Sequence, residues 1–253
     1  MQTHPILTIL GPTACGKTTF AAHLAAQIDG EIISADSRQV FRGMDIGSGK
    51  DLADYTVDGK NIPYHLIDIA EAGTRYSVYQ FQHDFHKAYN DIIERGKTPI
   101  LCGGTGLYIE SVIKGYEFDG RTLPAMNSLN IGLKIERDQR RSKISHRLRT
   151  RLEEGMIEEV RGLLERGVKA ESLIRYGLEY KYVTLYLLGE LQYEEMVKLL
   201  EIAIHQFAKR QMTWFRGMEE RRHIPIHWID CNQPIRQRIE TVKSLWKKQT
   251  GGE

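Results

Sequence analysis

The segment Gly11-Pro-Thr-Ala-Cys-Gly16-Lys17-Thr18 lies between a short β-rich run, Ile6–Gly11, and a helical stretch, Lys17–Ile28. The spacing G-x-x-x-x-G-K-T in that strand–loop–helix setting limits what the chain can build. Glycines let backbone N–H groups converge on phosphate oxygens, Lys17 neutralises their charge, the Thr18 hydroxyl can reach Mg²⁺, and the helix N-terminus adds a partial positive charge. Gly11, Pro12, Thr13, Ala14, Cys15, Gly16, Lys17 and Thr18 are therefore expected to form a diphosphate-binding loop of the nucleotide- and ATP-binding type. The alternative, a chance match in a glycine turn, fits poorly with the flanking elements. The motif is silent on which diphosphate or polyphosphate is held.

Strand and helix patterns alternate through the first half. Glu31–Asp36 reads as a buried strand, Tyr76–Arg95 as a helix closed by Gly96, Thr98–Gly104 as a third strand and Thr105–Lys114 as another helix. Such repetition predicts an α/β fold: a P-loop NTPase-like parallel sheet flanked by helices, with a helical C-terminal part. Gly115–Asn130 reads as loop, with turn signals at Asp119-Gly120 and Pro124. Ile144, Leu148, Leu152, Met156 and Val160 recur every four residues and predict one helix ending at Gly167. Helical patterns follow at 171–188, 192–204 and 205–218, then a strand at Ile226–Asp230 and a polar tail. The expected organisation is one domain over 1–253, with an α/β core at 1–115 and a basic helical part at 134–222 packed on it.

The 253 residues suffice for one such core. No apolar run reaches the ~18 residues of a membrane helix, and the N-terminus lacks a basic leader. Three scattered cysteines, Cys15, Cys102 and Cys231, suggest neither a disulfide framework nor a zinc site. A reduced, cytoplasmic, monomeric protein is expected. The net charge of +2 is unevenly placed: residues 134–151 carry a local +6 and 205–223 a local +3, leaving −7 elsewhere. Arg140, Arg147 and Arg151 share a helical face that could track RNA phosphates, as could Lys209 and Arg210 beside Trp214, although a solvated basic face is equally compatible. Trp214 and Phe215, spaced with Phe207 and Met218, read as core.

Hydrolysis of a nucleoside triphosphate is poorly supported, because the strand Thr98–Gly104 ends without an acid. His65-Leu-Ile-Asp68-Ile resembles a Walker-B strand but has no crossover helix before it. A transferase or kinase that uses the loop for binding is favoured. Asp36, at a strand end on the same rim, can orient or deprotonate an amine or hydroxyl, the alternative being a turn carboxylate. Ser37 and Gln39 offer a donor–acceptor pair for a nucleobase edge. Thr105 adds a hydroxyl, with a plain N-cap as the competing role.

The segments GPTACGKTTFAAHLA, SADSRQVFRGMDIGSGK, YHLIDI, YSVYQFQHDF and LCGGTGLYIESVIKGY, in that order, resemble the tRNA dimethylallyltransferase (isopentenyltransferase) family. EEGMIEEVRGLLERG, LGELQYEEMV and QFAKRQMTWFRG look like its C-terminal helices. The resemblance implies transfer of a dimethylallyl group from dimethylallyl diphosphate to N6 of an adenine, most directly adenosine 37 in a tRNA anticodon stem-loop. It implies that Asp36 and Thr105 are catalytic, that Lys17 and a Thr18-bound Mg²⁺ offset the diphosphate charge, and that Asp36, Ser37, Arg38 and Gln39 meet the adenine. The family's further diphosphate arginine corresponds to Arg175, with Lys181 as the alternative register.

The chain departs from the family in three places. Only Glu117–Leu133 occupies the interval where tRNA-modifying members carry a helical insertion. Gly47-Ser-Gly-Lys50 replaces G-T-A-K-P, and Glu179 replaces the usual glycine of G-Y-K. A short form acting on tRNA is the expectation. Prenylation of free AMP, ADP or ATP, a P-loop nucleotide or small-molecule kinase, and a non-catalytic RNA-binding relative remain as alternatives.

Overall fold

The computed structural model describes residues 4–118 and 121–251. The expected turn at Asp119-Gly120 lies outside the described residues. The chain runs β1 (Ile6–Leu10), α1 (Lys17–Ile28), β2 (Gly30–Ala35), the hairpin strands β3 (Thr56–Val57) and β4 (Lys60–Asn61), then β5 (Tyr64–His65), α2 (Val78–Glu94), β6 (Thr98–Gly103) and α3 (Gly106–Lys114). It continues through the short hairpin β7 (Glu117–Phe118) and β8 (Arg121–Thr122), then β9 (Ser128–Lys134), α4 (Arg137–Glu153), α5 (Met156–Glu165), α6 (Ala170–Tyr176), α7 (Leu178–Leu187), α8 (Tyr193–Glu220), β10 (His227–Asp230) and α9 (Ile235–Thr250).

Six strands form one parallel sheet in the order β10-β9-β1-β6-β2-β5. β1 is buried along its whole length, as a central parallel strand covered on both faces must be. Its alternate side chains serve the two faces: Leu7 and Ile9 pack with Phe20 and Leu24 of α1, while Ile6 and Leu10 pack with Phe81 and Phe85 of α2. Ser77 and Gln80 form a reciprocal capping box that starts α2. A third apolar cluster joins Val40, Phe41 and Met44 to the helices α4–α8.

The first-half elements lie where expected, within two residues. The second half requires five corrections. Overlapping the end of the segment read as loop, Ser128–Lys134 is a strand beside β1, paired from Ile6↔Ser128 to Leu10↔Gly132. Its polar residues obscured it: Asn130 is buried and donates to Pro225 O at 3.0 Å, and Gly132 is bare because the Trp228 ring and Ile226 fill its side-chain space. The four-residue apolar repeat from Ile144 to Val160 is split by Gly155, at φ 99°, into α4 and α5. The 171–188 pattern is split by Gly177 into α6 and α7. Conversely, 192–204 and 205–218 form one 28-residue helix, α8, about 42 Å long. Its buried face runs unbroken through Met196, Leu200, Ile204, Ala208, Gln211, Phe215 and Met218, joining the third cluster to the sheet. Finally, the polar tail is α9, whose Ile239 and Val242 complete the apolar layer over α1.

The segment His65-Leu-Ile-Asp68 places only His65 in edge strand β5, and Asp68 beyond it pairs with the buried ammonium of Lys50 at 2.5 Å. It is not a Walker-B strand beside β1. His65 Nε2 lies 2.7 Å from Glu31 Oε2, a structural pairing. Among the described residues, no helix is long and apolar enough to cross a membrane.

Candidate active site

Three strand ends meet at one rim. β1 enters the loop Gly11–Gly16, β2 ends at Asp36, and β6 ends at Gly103-Gly104. Close approach forces glycine at 103, since a Cβ there would collide with the Ala35 carbonyl. Gly16 enters α1 at φ 77°, a left-handed backbone that turns the loop into the helix. A cavity of about 320 Å³ opens over the loop, lined by Thr13, Ala14, Gly16, Lys17, Thr18 and Asp36 among others. Gly11, Pro12 and Cys15 are buried behind it as the frame of the loop. Lys17 Nζ donates to Pro12 O at 2.8 Å, a backbone contact that does not neutralise its charge.

Gln211 of α8 holds the rim together. Its Oε1 accepts from Thr13 N–H at 2.8 Å and its Nε2 donates to Gly104 O at 2.9 Å, so one buried amide joins the phosphate loop to the second glycine turn. Thr105 starts α3 without a side-chain cap bond. Its Oγ1 instead accepts from Ser37 N–H at 3.0 Å, across from β6 to β2. The plain N-cap role is thereby replaced by a link between the two candidate catalytic strand ends. Asp36 Oδ1 accepts from Arg38 N–H at 2.9 Å, which closes the turn and leaves the second carboxylate oxygen available to a ligand.

A second cleft, also of about 320 Å³, adjoins the first and is lined by Asp36, Ser37, Thr105, Tyr176, Lys181, Tyr182 and Arg210 among others. Asp36, Arg38 and Phe207 line both spaces and so stand between them. Arg38 packs over the Phe207 ring at 5.5 Å and pairs with Glu179 at 2.6 Å. Phe207 is thus a wall of the site, whereas Phe215 and Met218 are core as expected. Trp214 is half-buried against Gly106, with Arg222 over its ring. Gln39 lines the first cavity, but its amide is engaged: Oε1 accepts from Ser34 Oγ at 2.9 Å, and Nε2 donates to Gly49 O at 3.1 Å.

Other expected residues are not brought to the loop. Arg175 is exposed on α6, donates to Ser172 Oγ at 3.0 Å and does not line the cavity. Lys181 lies in the second cleft, against Tyr182. Lys209 is exposed on α8 outside both spaces, while its neighbour Arg210 lines the second. The cations that do join Lys17 around the first cavity are Lys143, Arg147 and Arg151 of α4, with Arg38. Arg147 and Arg151 face inward, not toward an RNA backbone outside. Their spacing of four from Lys143 was the available signal, since such residues share a helical face.

The loop that closes the cavity is firmly held. The Glu159 carboxylate accepts the N–H groups of Asp45, Ile46 and Gly47 at 2.8, 2.6 and 3.1 Å, and Lys50 Nζ donates to Phe41 O at 3.0 Å. Asp54 also lines the cavity and accepts from Thr19 Oγ1 at 3.1 Å. Burial, reinforced by the nearby Asp51 charge, raises its pKa above the ordinary carboxylate value.

The IPP transferase profile matches residues 39–126 and 119–218, two pieces that meet at the β7–β8 hairpin, and the isopentenyl transferase profile matches 4–64. The tRNA dimethylallyltransferase 1 of Parabacteroides distasonis is 52% identical, covering 98% of this chain and 100% of its own length. That alignment runs over 307 positions against 253 residues here, as a short form requires. A Porphyromonas gingivalis W83 tRNA dimethylallyltransferase 2 is 50% identical over 95% of this chain and 99% of its own. The crystal structure of the full-length tRNA isopentenylpyrophosphate transferase of Bacillus halodurans superposes with a TM-score of 0.86 at 29% identity, covering 98% of this chain and 97% of that one. A eukaryotic dimethylallyltransferase acting on tRNA shares the fold at a TM-score of 0.80 and 18% identity, over 98% of this chain and 77% of that one. By sequence along nearly its whole length and by fold, the chain belongs to the tRNA dimethylallyltransferase family of IPP transferases.

Proposed function

We propose that this protein transfers the dimethylallyl group of dimethylallyl diphosphate to N6 of an adenosine in a tRNA anticodon stem-loop. The observation that carries the reading is the position of Asp36, a carboxylate lining both the phosphate-loop cavity and the adjoining cleft. The diphosphate lies on the loop, with Lys17 and Thr18 against it. The adenine enters the second cleft among Tyr176, Tyr182 and Phe207, whose rings can stack on a base. The N6 amine attacks the allylic carbon, the carbon–oxygen bond breaks, the diphosphate departs with the bonding pair, and Asp36 receives the amine proton. Charge grows on the leaving diphosphate, over the loop whose Lys17 and α1 N-terminus line the cavity and would offset it. Thr105 positions this end by holding Ser37 N–H.

The donor set suits Mg²⁺ carried largely by substrate. Among the described residues, no three His, Cys, Asp or Glu side chains cluster to cage a metal, whereas the Thr18 hydroxyl, Asp51 and Asp54 line the cavity. Thr18 would hold the ion together with diphosphate oxygens. When bound, it would offset phosphate charge. The basic second half accords with a tRNA-modifying role, and on this reading the short form acts as a cytoplasmic monomer.

Labelled dimethylallyl diphosphate incubated with unmodified tRNA or with AMP, ADP and ATP tests the acceptor. Label appearing in tRNA, with no ATP requirement, is the expected result; label only in free nucleotides would overturn it. Asp36→Ala should lower turnover by about 10²–10⁴-fold while sparing diphosphate binding. Near-normal turnover removes that role from Asp36.

A further inference from the structure

Lys143, Arg147 and Arg151 lie on one face of α4 and line the same cavity as Lys17. Arg147 is partnered: its Nη2 pairs with Asp51 at 2.8 Å. Arg151 is different. Its side chain is 10% exposed, and its Nη2 is buried without a hydrogen-bond partner among the described residues. Its contacts with Asp51 and Glu179 are long ion pairs of 3.9 Å each. A buried charged donor without an acceptor is costly, and a fold retains one most readily where a ligand supplies the acceptor.

The surroundings are arranged for that guanidinium. A Cβ on Gly49 would collide with Nη2 of both Arg147 and Arg151, so the loop is bare where the two converge. Glu179, 6% exposed at its side chain, stands between Arg38 and Arg151 and supplies a counter-charge to both. Burial, with Arg147 beside it, pulls the Arg151 pKa down to about 10, which leaves it cationic at neutral pH. The carboxylate at 179, a glycine in the usual family motif, therefore has a partner that explains it.

We propose that Arg151 is a diphosphate-binding residue of this enzyme, donating through its free Nη2 to the departing diphosphate with Arg147 beside it. Glu179 holds the guanidinium in register when the cavity is without its donor substrate. α4 thus supplies the arginine that α6, with its exposed Arg175, does not. The identity of the anion rests on the prenyl-transfer reading; the presence of an anion site does not.

The test uses the full chain, with inorganic diphosphate as the calorimetric probe and dimethylallyl diphosphate with tRNA for kinetics. Arg151→Met should weaken inorganic diphosphate binding about 30-fold, the scale of one lost charge-assisted bond. It should raise KM for dimethylallyl diphosphate and leave KM for tRNA unchanged, a split that general loosening would not produce. Arg151→Lys, which keeps the charge but loses the fork, should recover part of the loss. A folded Arg151→Met protein with wild-type diphosphate affinity overturns the assignment. Where Arg151→Met fails to fold, wild-type affinity in Arg151→Lys does the same. Wild-type protein that binds inorganic diphosphate but transfers no allyl group defeats the prenyl-transfer reading and leaves the role of Arg151 to be decided by the binding data alone.

Discussion

Gln211 shows how one side chain fixes the geometry of the site. Its amide satisfies Thr13 N–H on one loop and Gly104 C=O on the next, and both atoms of the amide are engaged. Gln211→Ala removes two bonds and leaves buried backbone groups unpaired, a cost of about 1–3 kcal/mol for each group left unsatisfied. Urea unfolding should show that loss, and inorganic diphosphate should bind more weakly because the loop is released at Thr13. Unchanged stability and affinity would show that the loop holds its shape without α8. On the proposed function, Arg210, exposed beside the second cleft, would meet tRNA through charge alone. Arg210→Ala should weaken tRNA binding at low salt and reduce the dependence of log K on log salt by about 0.7–0.9. Inorganic diphosphate affinity should not change, and titration calorimetry with both ligands checks the contrast.

At the scale of elements, α9 is a structural necessity that reads in sequence as a polar tail. It places Ile239 and Val242 against the α1 layer, with Arg238 over the Phe20 ring at 5.0 Å. Ending the chain after Asn232 exposes that layer behind the phosphate loop, so the truncated protein should melt lower and bind apolar dyes. An unchanged melting temperature would show α9 to be dispensable. The edge of the sheet carries a different device. Glu31 of β2 is buried, which alone would raise its pKa, but hydrogen bonds from Arg95 and His65 outweigh burial and hold it below the ordinary value of 4.5. A carboxylate depressed in the folded state contributes stability above its unfolded pKa and loses that contribution as pH falls through the folded value. Urea unfolding from pH 7 down to pH 3 should therefore show an acid limb below about pH 4.5, shallower in Glu31→Gln. An identical limb in the variant would assign acid sensitivity elsewhere.

For the whole molecule, the short length and the split profile match agree: the two matched pieces overlap at 119–126, beside the short strands β7 and β8. β1, β2, β6 and α1 were legible in sequence because these central parallel strands are mostly apolar and the phosphate loop marks its own flanks. β9 was not legible, because Ser128, Asn130 and Gly132 are tolerated only through partners far away in sequence, Thr8, Pro225 and Trp228. Helix boundaries at Gly155 and Gly177 were hidden by apolar spacing that continues across each break. The candidate site divides in the same way. The sequence by itself determined the phosphate loop, the carboxylate at Asp36 and the family, because these depend on local spacing along one strand–loop–helix unit. Only the tertiary structure decided which cations line the cavity over the phosphate loop. Arg147 and Arg151 reach the cavity, and Arg175 does not, through the packing of α4 against α8 and the loop at Gly49 and of α6 against α7, and such rotations are set by long-range contacts that no local pattern encodes.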